Sequence, residues 1–97
     1  MYQIQNIINE TDYNGVSVRK TMEANASEVL LICIEKGAAF KKHTSPNNAQ
    51  LIVLEGQISF HINEETYLIK KHQTFGFPKN TEHWVNAIEN SKFLIIR

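Results

Sequence analysis

The apolar residues of this chain come in short runs, and nearly every run is closed by residues that turn the backbone. Ile58, Phe60 and Ile62 alternate with Gln57, Ser59, His61 and Asn63. A period of two marks a strand that buries one face. Val29 to Ile34 and Leu51 to Leu54 are continuous instead, as expected of strands covered on both faces, and Phe93 to Ile96 closes the chain. Asn14-Gly15, Asn25-Ala26-Ser27, Gly37, Glu55-Gly56 and Asn63-Glu64-Glu65 supply the turn chemistry between runs. Val16 to Met22 alternates moderately, and Phe75 and Phe77 share a face ahead of Pro78. No window sustains a convincing apolar pattern at spacings of three and four, so the chain is expected to be all-β with little or no helix.

Ninety-seven residues leave room for one core, so a single domain over 1–97 is expected. Ten basic residues balance ten acidic ones, which removes any overall field that would draw in nucleic acid or an anionic membrane. Lys41-Lys42 and Lys70-Lys71 sit beside turns and read as solvated loop charge. Cys33 is the one cysteine; within its apolar run it reads as a small buried hydrophobe, not a reactive thiol. No stretch approaches the ~20 apolar residues of a membrane span, and the first residues lack a signal-peptide pattern. A soluble, cytoplasmic protein is the expectation.

The segment from Gly37 to Gly56 carries the most specific pattern: Gly37, five residues, His43, one, Ser45, three, Ala49, six, Gly56. A second pattern runs His72, five, Pro78, one, Asn80, two, His83, three, Ala87. In spacing the two segments (37–56 and 72–87) resemble the paired motifs of the cupin family. The fifteen residues between them resemble its compact bacterial members. The resemblance implies a small jelly-roll β-barrel and covers most of the chain from Ser27 onward. It also implies a metal held by His residues and a carboxylate. Here His43 and His83 match the family's imidazole positions, while Ser45 and Ala49 stand where another His and a carboxylate belong. Asn80 for the family's glycine is mild, because Asn tolerates the left-handed backbone. His72 for glycine suggests a different turn.

If residues 43 to 49 form an unbroken strand, alternation puts His43, Ser45 and Ala49 on one inward face, opposite an inward His83. A one-residue bulge would instead turn Gln50 inward as a neutral ligand. The reading that follows is a small-molecule binder, non-catalytic, with a degenerate metal site. Its pocket would be lined by His43, Ser45, Ala49, Leu51, Val53, Phe75, Phe77 and His83, a mostly apolar wall with few directed polar groups. The alternative is a metal-dependent enzyme of dioxygenase or isomerase type. It would hold zinc, nickel, copper, manganese or iron on His43 and His83 plus water. Against it, catalytic zinc usually takes three protein ligands, and non-haem iron takes two His and a carboxylate. His61 and His72 read as satisfied strand and turn residues, and Glu82 and Trp84 should face away from His83.

The continuous runs carry more apolar surface than one interior can absorb. Leu30, Ile32 and Ile34, or Ile52 and Leu54, would face outward on a monomer, partly covered by an N-terminal strand with Ile4, Ile7 and Ile8. A homodimer is the expected cover for the remainder.

Overall fold

Strands end where the sequence places its turns, in a computed structural model that describes residues 2–97. After a single short helix, α1 (Ile7–Glu10), come β1 (Val16–Ala24), β2 (Ser27–Ile34), β3 (Ala39–His43), β4 (Ala49–Glu55) and β5 (Gln57–Ile62). The chain continues through β6 (Glu65–Lys70), β7 (Thr74–Phe77), β8 (His83–Ala87) and β9 (Ser91–Ile96). Two antiparallel sheets form, one in the order β1-β2-β9-β4-β7 and one in the order β3-β8-β5-β6. From β2 onward the chain moves repeatedly between sheets, so apart from the β1–β2 and β5–β6 hairpins neighbouring strands are distant in sequence. This is a jelly roll, and the all-β expectation holds.

The interior lies between the sheets. Ile32, Ile34, Leu51, Val53, Phe93 and Ile95 from one sheet pack on Ile58, Phe60, Ile69, Val85 and Ala87 from the other. The alternation Ile58, Phe60, Ile62 is the clearest sequence signal realised here, since all three side chains are buried.

The β2 run requires a correction. Leu30, Ile32 and Ile34, expected to face outward, belong to or pack against the core. The opposite face of β2 carries Leu31 and Cys33, and both are fully buried. The chain's own N-terminal segment lies over this face at Cys33. The Cys33 thiol donates toward the carbonyl oxygens of Asp12 (3.2 Å) and Thr11 (3.7 Å), and Lys92 Nζ donates to the Ile8 carbonyl at 2.6 Å. The cover is a helical turn and extended chain, not the strand expected. Burial pushes the Cys33 thiol up, consistent with an inert residue. Ile52 and Leu54 do lie on the outer face, half-buried.

Turns at both ends of the motifs use left-handed backbone. Gly56 has φ 76°, and a Cβ there would collide with the Asn90 carbonyl oxygen and Ser91 Oγ. Only glycine fits that corner. Asn80 adopts φ 59°, as its side chain allows. His72 adopts φ 68°, so the turn is the left-handed one that glycine makes, not the different turn expected. The His72 amide donates to the Val53 carbonyl at 2.6 Å and holds the conformation.

Candidate functional site

His43 ends β3 and His83 begins β8, and the two residues are direct register partners in the four-stranded sheet. They are therefore neighbours on adjacent strands, not opposed across the interior as expected. Their Nε2 atoms are 3.0 Å apart. His83 is buried, while His43 is half-buried.

A bulge makes this meeting possible. Phe40 pairs with Val85 and His43 with His83, so three residues of β3 span two of β8. In a regular strand Phe40 and His43 would face opposite sides. The extra residue restores them to one face, and their rings stack at 4.2 Å and 21°. Beyond His43 the chain leaves the sheet: residues 44–48 form a loop, and Ala49 opens β4 in the other sheet. The single strand expected from 43 to 49 does not exist. Ser45 is buried within that loop, and its hydroxyl donates to the Asn47 carbonyl at 2.6 Å.

Hydrogen bonding fixes the chemistry of the pair. His43 Nδ1 lies 2.6 Å from the Lys41 carbonyl oxygen, and His83 Nδ1 lies 3.0 Å from that of Thr81. A carbonyl oxygen only accepts, so each Nδ1 carries a hydrogen and each neutral ring presents a lone pair at Nε2. Two lone pairs facing each other at 3.0 Å repel unless something positive lies between them. One added proton, or one cation, satisfies the geometry. Burial holds His83 below the ordinary imidazole value; the Thr81 carbonyl opposes this, and repulsion from His43 adds to it. Burial thus disfavours a positive charge on the His83 ring.

Aromatic rings wall the pair in. Phe60 lies parallel to His83 at 5.1 Å, and Phe77 meets it edge-on at 4.7 Å. Phe40 and Phe60 were not among the candidate residues. The Ile58-Phe60-Ile62 alternation already placed Phe60 inward, but Phe40 faces inward only because of the bulge. Ala49, Leu51, Val53 and Phe77, expected to line a cavity, are buried in the core, and Phe75 packs against it. The His83 ring is buried among these side chains, and His43 is the more exposed member of the pair.

Gln50 also requires a correction. Ala49, Leu51 and Val53 are buried and Gln50 is exposed, with β4–β7 pairing regular from Ala49 to Ile52. The β4 irregularity lies between Val53 and Glu55, too late to rotate Gln50 inward. The amide lies over Gly76 on the outer face.

These features test the metal centre that the resemblance implies. The Nε2 atoms are close enough for both to reach one ion at the usual ~2.0–2.1 Å Zn–N distance. No third ligand follows: Ala49 offers a methyl group, Ser45 is committed to Asn47, and Gln50 faces away. Among the described residues no group of three or more His, Cys, Asp or Glu side chains could hold an ion. The donor set does not fit a resident catalytic zinc or non-haem iron.

The family model described as "Cupin domain" matches residues 30–96, more than half of the chain. The chain belongs to the cupin family. Solved cupins and related proteins share its fold at low sequence identity. An RmlC-like cupin protein from Desulfovibrio desulfuricans superposes with a TM-score of 0.84 at 16% identity, covering 99% of this chain and 95% of that one. The conserved SPY1581 protein of unknown function from Streptococcus pyogenes gives 0.82 at 21% identity, covering 99% and 86%. KdgF from a Halomonas species gives 0.76 at 18%, covering 91% and 86%. No curated protein is similar at a significant level. Among the described residues no helix of this cupin is long and apolar enough to cross a membrane.

Proposed function

We propose that this cupin is a non-catalytic binding protein whose His43–His83 pair takes up a small weak acid, a carboxylic acid or a phenol. The observation that carries the reading is the convergence of two Nε2 lone pairs at 3.0 Å, each ring locked by a carbonyl at Nδ1. A weak acid brings the proton such a pair lacks. An undissociated acid breaks its O–H bond and an N–H bond forms on the pair. A guest that arrives as its anion, such as benzoate, binds together with one proton taken from water, which leaves hydroxide in the solvent. In both cases the anion lies beside an imidazolium as a charge-assisted pair. The stacked Phe40 ring offers an apolar neighbour for the rest of the guest. A site limited to two imidazoles, with no carboxylate beside them, supports binding over catalysis.

Thermal-shift and calorimetric titration with benzoate and phenol, against benzamide as the neutral analogue, tests this. The acids should stabilise the wild type and lose their effect in His43→Ala and His83→Ala. Equal binding of benzamide, or no binding of either acid at millimolar concentration, overturns it.

The Nε2 separation favours one second reading, a divalent transition metal held by the pair and water. Metal analysis of purified protein distinguishes them. Stoichiometric zinc, nickel, copper, manganese or iron, lost in both His variants, would move the conclusion to the enzymatic reading.

A homodimer is part of the proposal. Tyr2 and Ile4 are 100% and 99% exposed, and Met22 and Ile96 add apolar surface at 57% and 41%. A second copy is the cover these residues favour. Light scattering at micromolar protein should give twice the chain mass, and a monomer would reject this part.

A further inference from the structure

On the opposite face of the sheet from the His pair lies an open cleft of about 660 Å³. Its floor is a transverse row on the outer face: Thr66 of β6, His61 of β5 and Trp84 of β8, which pair in register. The His61 ring stacks on the indole at 3.7 Å and 9°. His61 is itself held rigid, with Nε2 2.7 Å from Asn86 Oδ1 and Nδ1 2.9 Å from Thr66 Oγ1. Since Asn86 Oδ1 accepts, Nε2 carries the hydrogen and Nδ1 accepts from the threonine hydroxyl. The stack is thereby positioned before any guest arrives. The β5–β6 hairpin forms one wall, where Asn63 and Glu64 both take left-handed φ values of 51° and 63°. Lys42 and the segment from Thr81 to Glu82 form the other.

The volume falls in the range of small-molecule sites, roughly 300–1,000 Å³. The sign of charge selects the guest. Glu64, Glu65 and Glu82 line the cleft against a single Lys42, giving a formal balance of 1 − 3 = −2 with His61 neutral. Glu65 accepts from the Tyr67 hydroxyl at 2.7 Å, while Glu64 and Glu82 form no ion pair among the described residues. Trp84, stacked on one face by His61, lines the cleft beside these carboxylates. An indole next to unpaired carboxylates attracts organic cations through the ring quadrupole and simple Coulomb attraction.

We propose that this outer cleft is a second binding site, taking a small organic cation of the alkylammonium or guanidinium class against Trp84. It is independent of the His43–His83 reading, because none of its lining residues belongs to that pair.

Trp84 is the chain's one tryptophan, so its emission reports on the cleft directly. The intact protein is titrated with choline and agmatine, with 3,3-dimethylbutanol as choline's neutral isostere, and with glucose as a neutral polyol. Both cations should give a saturable change, and the isostere should bind at least about tenfold more weakly. Glu64→Gln with Glu82→Gln should weaken the cations about fivefold or more, and Lys42→Ala should tighten them. These are exposed positions, so folding should survive all three changes. No saturable response to either cation, an equal response to the neutral isostere, or tighter binding of glucose overturns the assignment.

Discussion

Removing the two imidazoles singly and together tests whether the rings interact, without any ligand. His83→Ala truncates a buried ring packed against Phe60 and Phe77 and strips the Thr81 carbonyl of its partner. Loss of the buried ring with that hydrogen bond should cost about 3–4 kcal/mol. His43→Ala removes a half-exposed ring that stacks on Phe40, and water can replace much of what is lost; about 1 kcal/mol is expected. If the Nε2 atoms share a proton, either single change already destroys that interaction, so the second change loses less. The double variant should then fall short of the sum by about 1 kcal/mol. Urea denaturation near neutral pH measures the cycle. A 1 kcal/mol difference also shifts Tm by roughly 4–8 °C in a domain of this size, so thermal melts provide a check. Additivity within ~0.3 kcal/mol would refute a proton shared by the ligand-free pair.

Three further outcomes follow from individual residues. Burial depresses His83 in the folded state relative to an unfolded imidazole near pH 6.5. Its contribution to stability is therefore complete above about pH 6.5 and declines as pH falls below that, by at most ~1.4 kcal/mol per unit, levelling below the folded value. Urea midpoints from alkaline to acidic pH should show this and flatten in His83→Phe; a wild type that loses no more stability in acid than His83→Phe contradicts it. Replacing His72 with glycine relieves a non-glycine φ of 68°, and about 0.5–1 kcal/mol of added stability is expected by chemical denaturation, with a loss as the opposing result. Gly56→Ala meets both a positive φ and the backbone at Asn90, so about 3 kcal/mol or more should be lost; a Tm within a few degrees of wild type would show that the corner can yield.

Local patterns were legible in the sequence wherever a residue's role depends on its immediate neighbours. The alternation of Ile58, Phe60 and Ile62 announced a half-buried strand, and Asn63-Glu64 its hairpin turn. Glu55-Gly56 marked the turn that ends β4. His61 was foreseeable as a satisfied strand residue, and Trp84 as facing away from His83. The β2 run was harder. Six apolar residues in succession say that both faces are covered, but not which residues face the core or what covers the others. The covering segment is distant in sequence and is held through Cys33 and Lys92.

At the candidate site the boundary is sharper. The resemblance to the cupin motifs nominated His43 and His83, because a motif is a property of order along the chain. It could not say that they are strand neighbours, since pairing between β3 and β8 joins residues forty apart. Nor could it reveal the bulge that brings Phe40 and His43 to one face, because a bulge is set by the partner strand's register. The filling of the interior by Phe60, Phe77 and the β4 residues was also undecided until both sheets were closed on each other. Sequence order determined which side chains were available, and long-range strand pairing decided which of them touch. Period and turn propensity act over a few residues, whereas register and packing depend on the whole chain's arrangement in space.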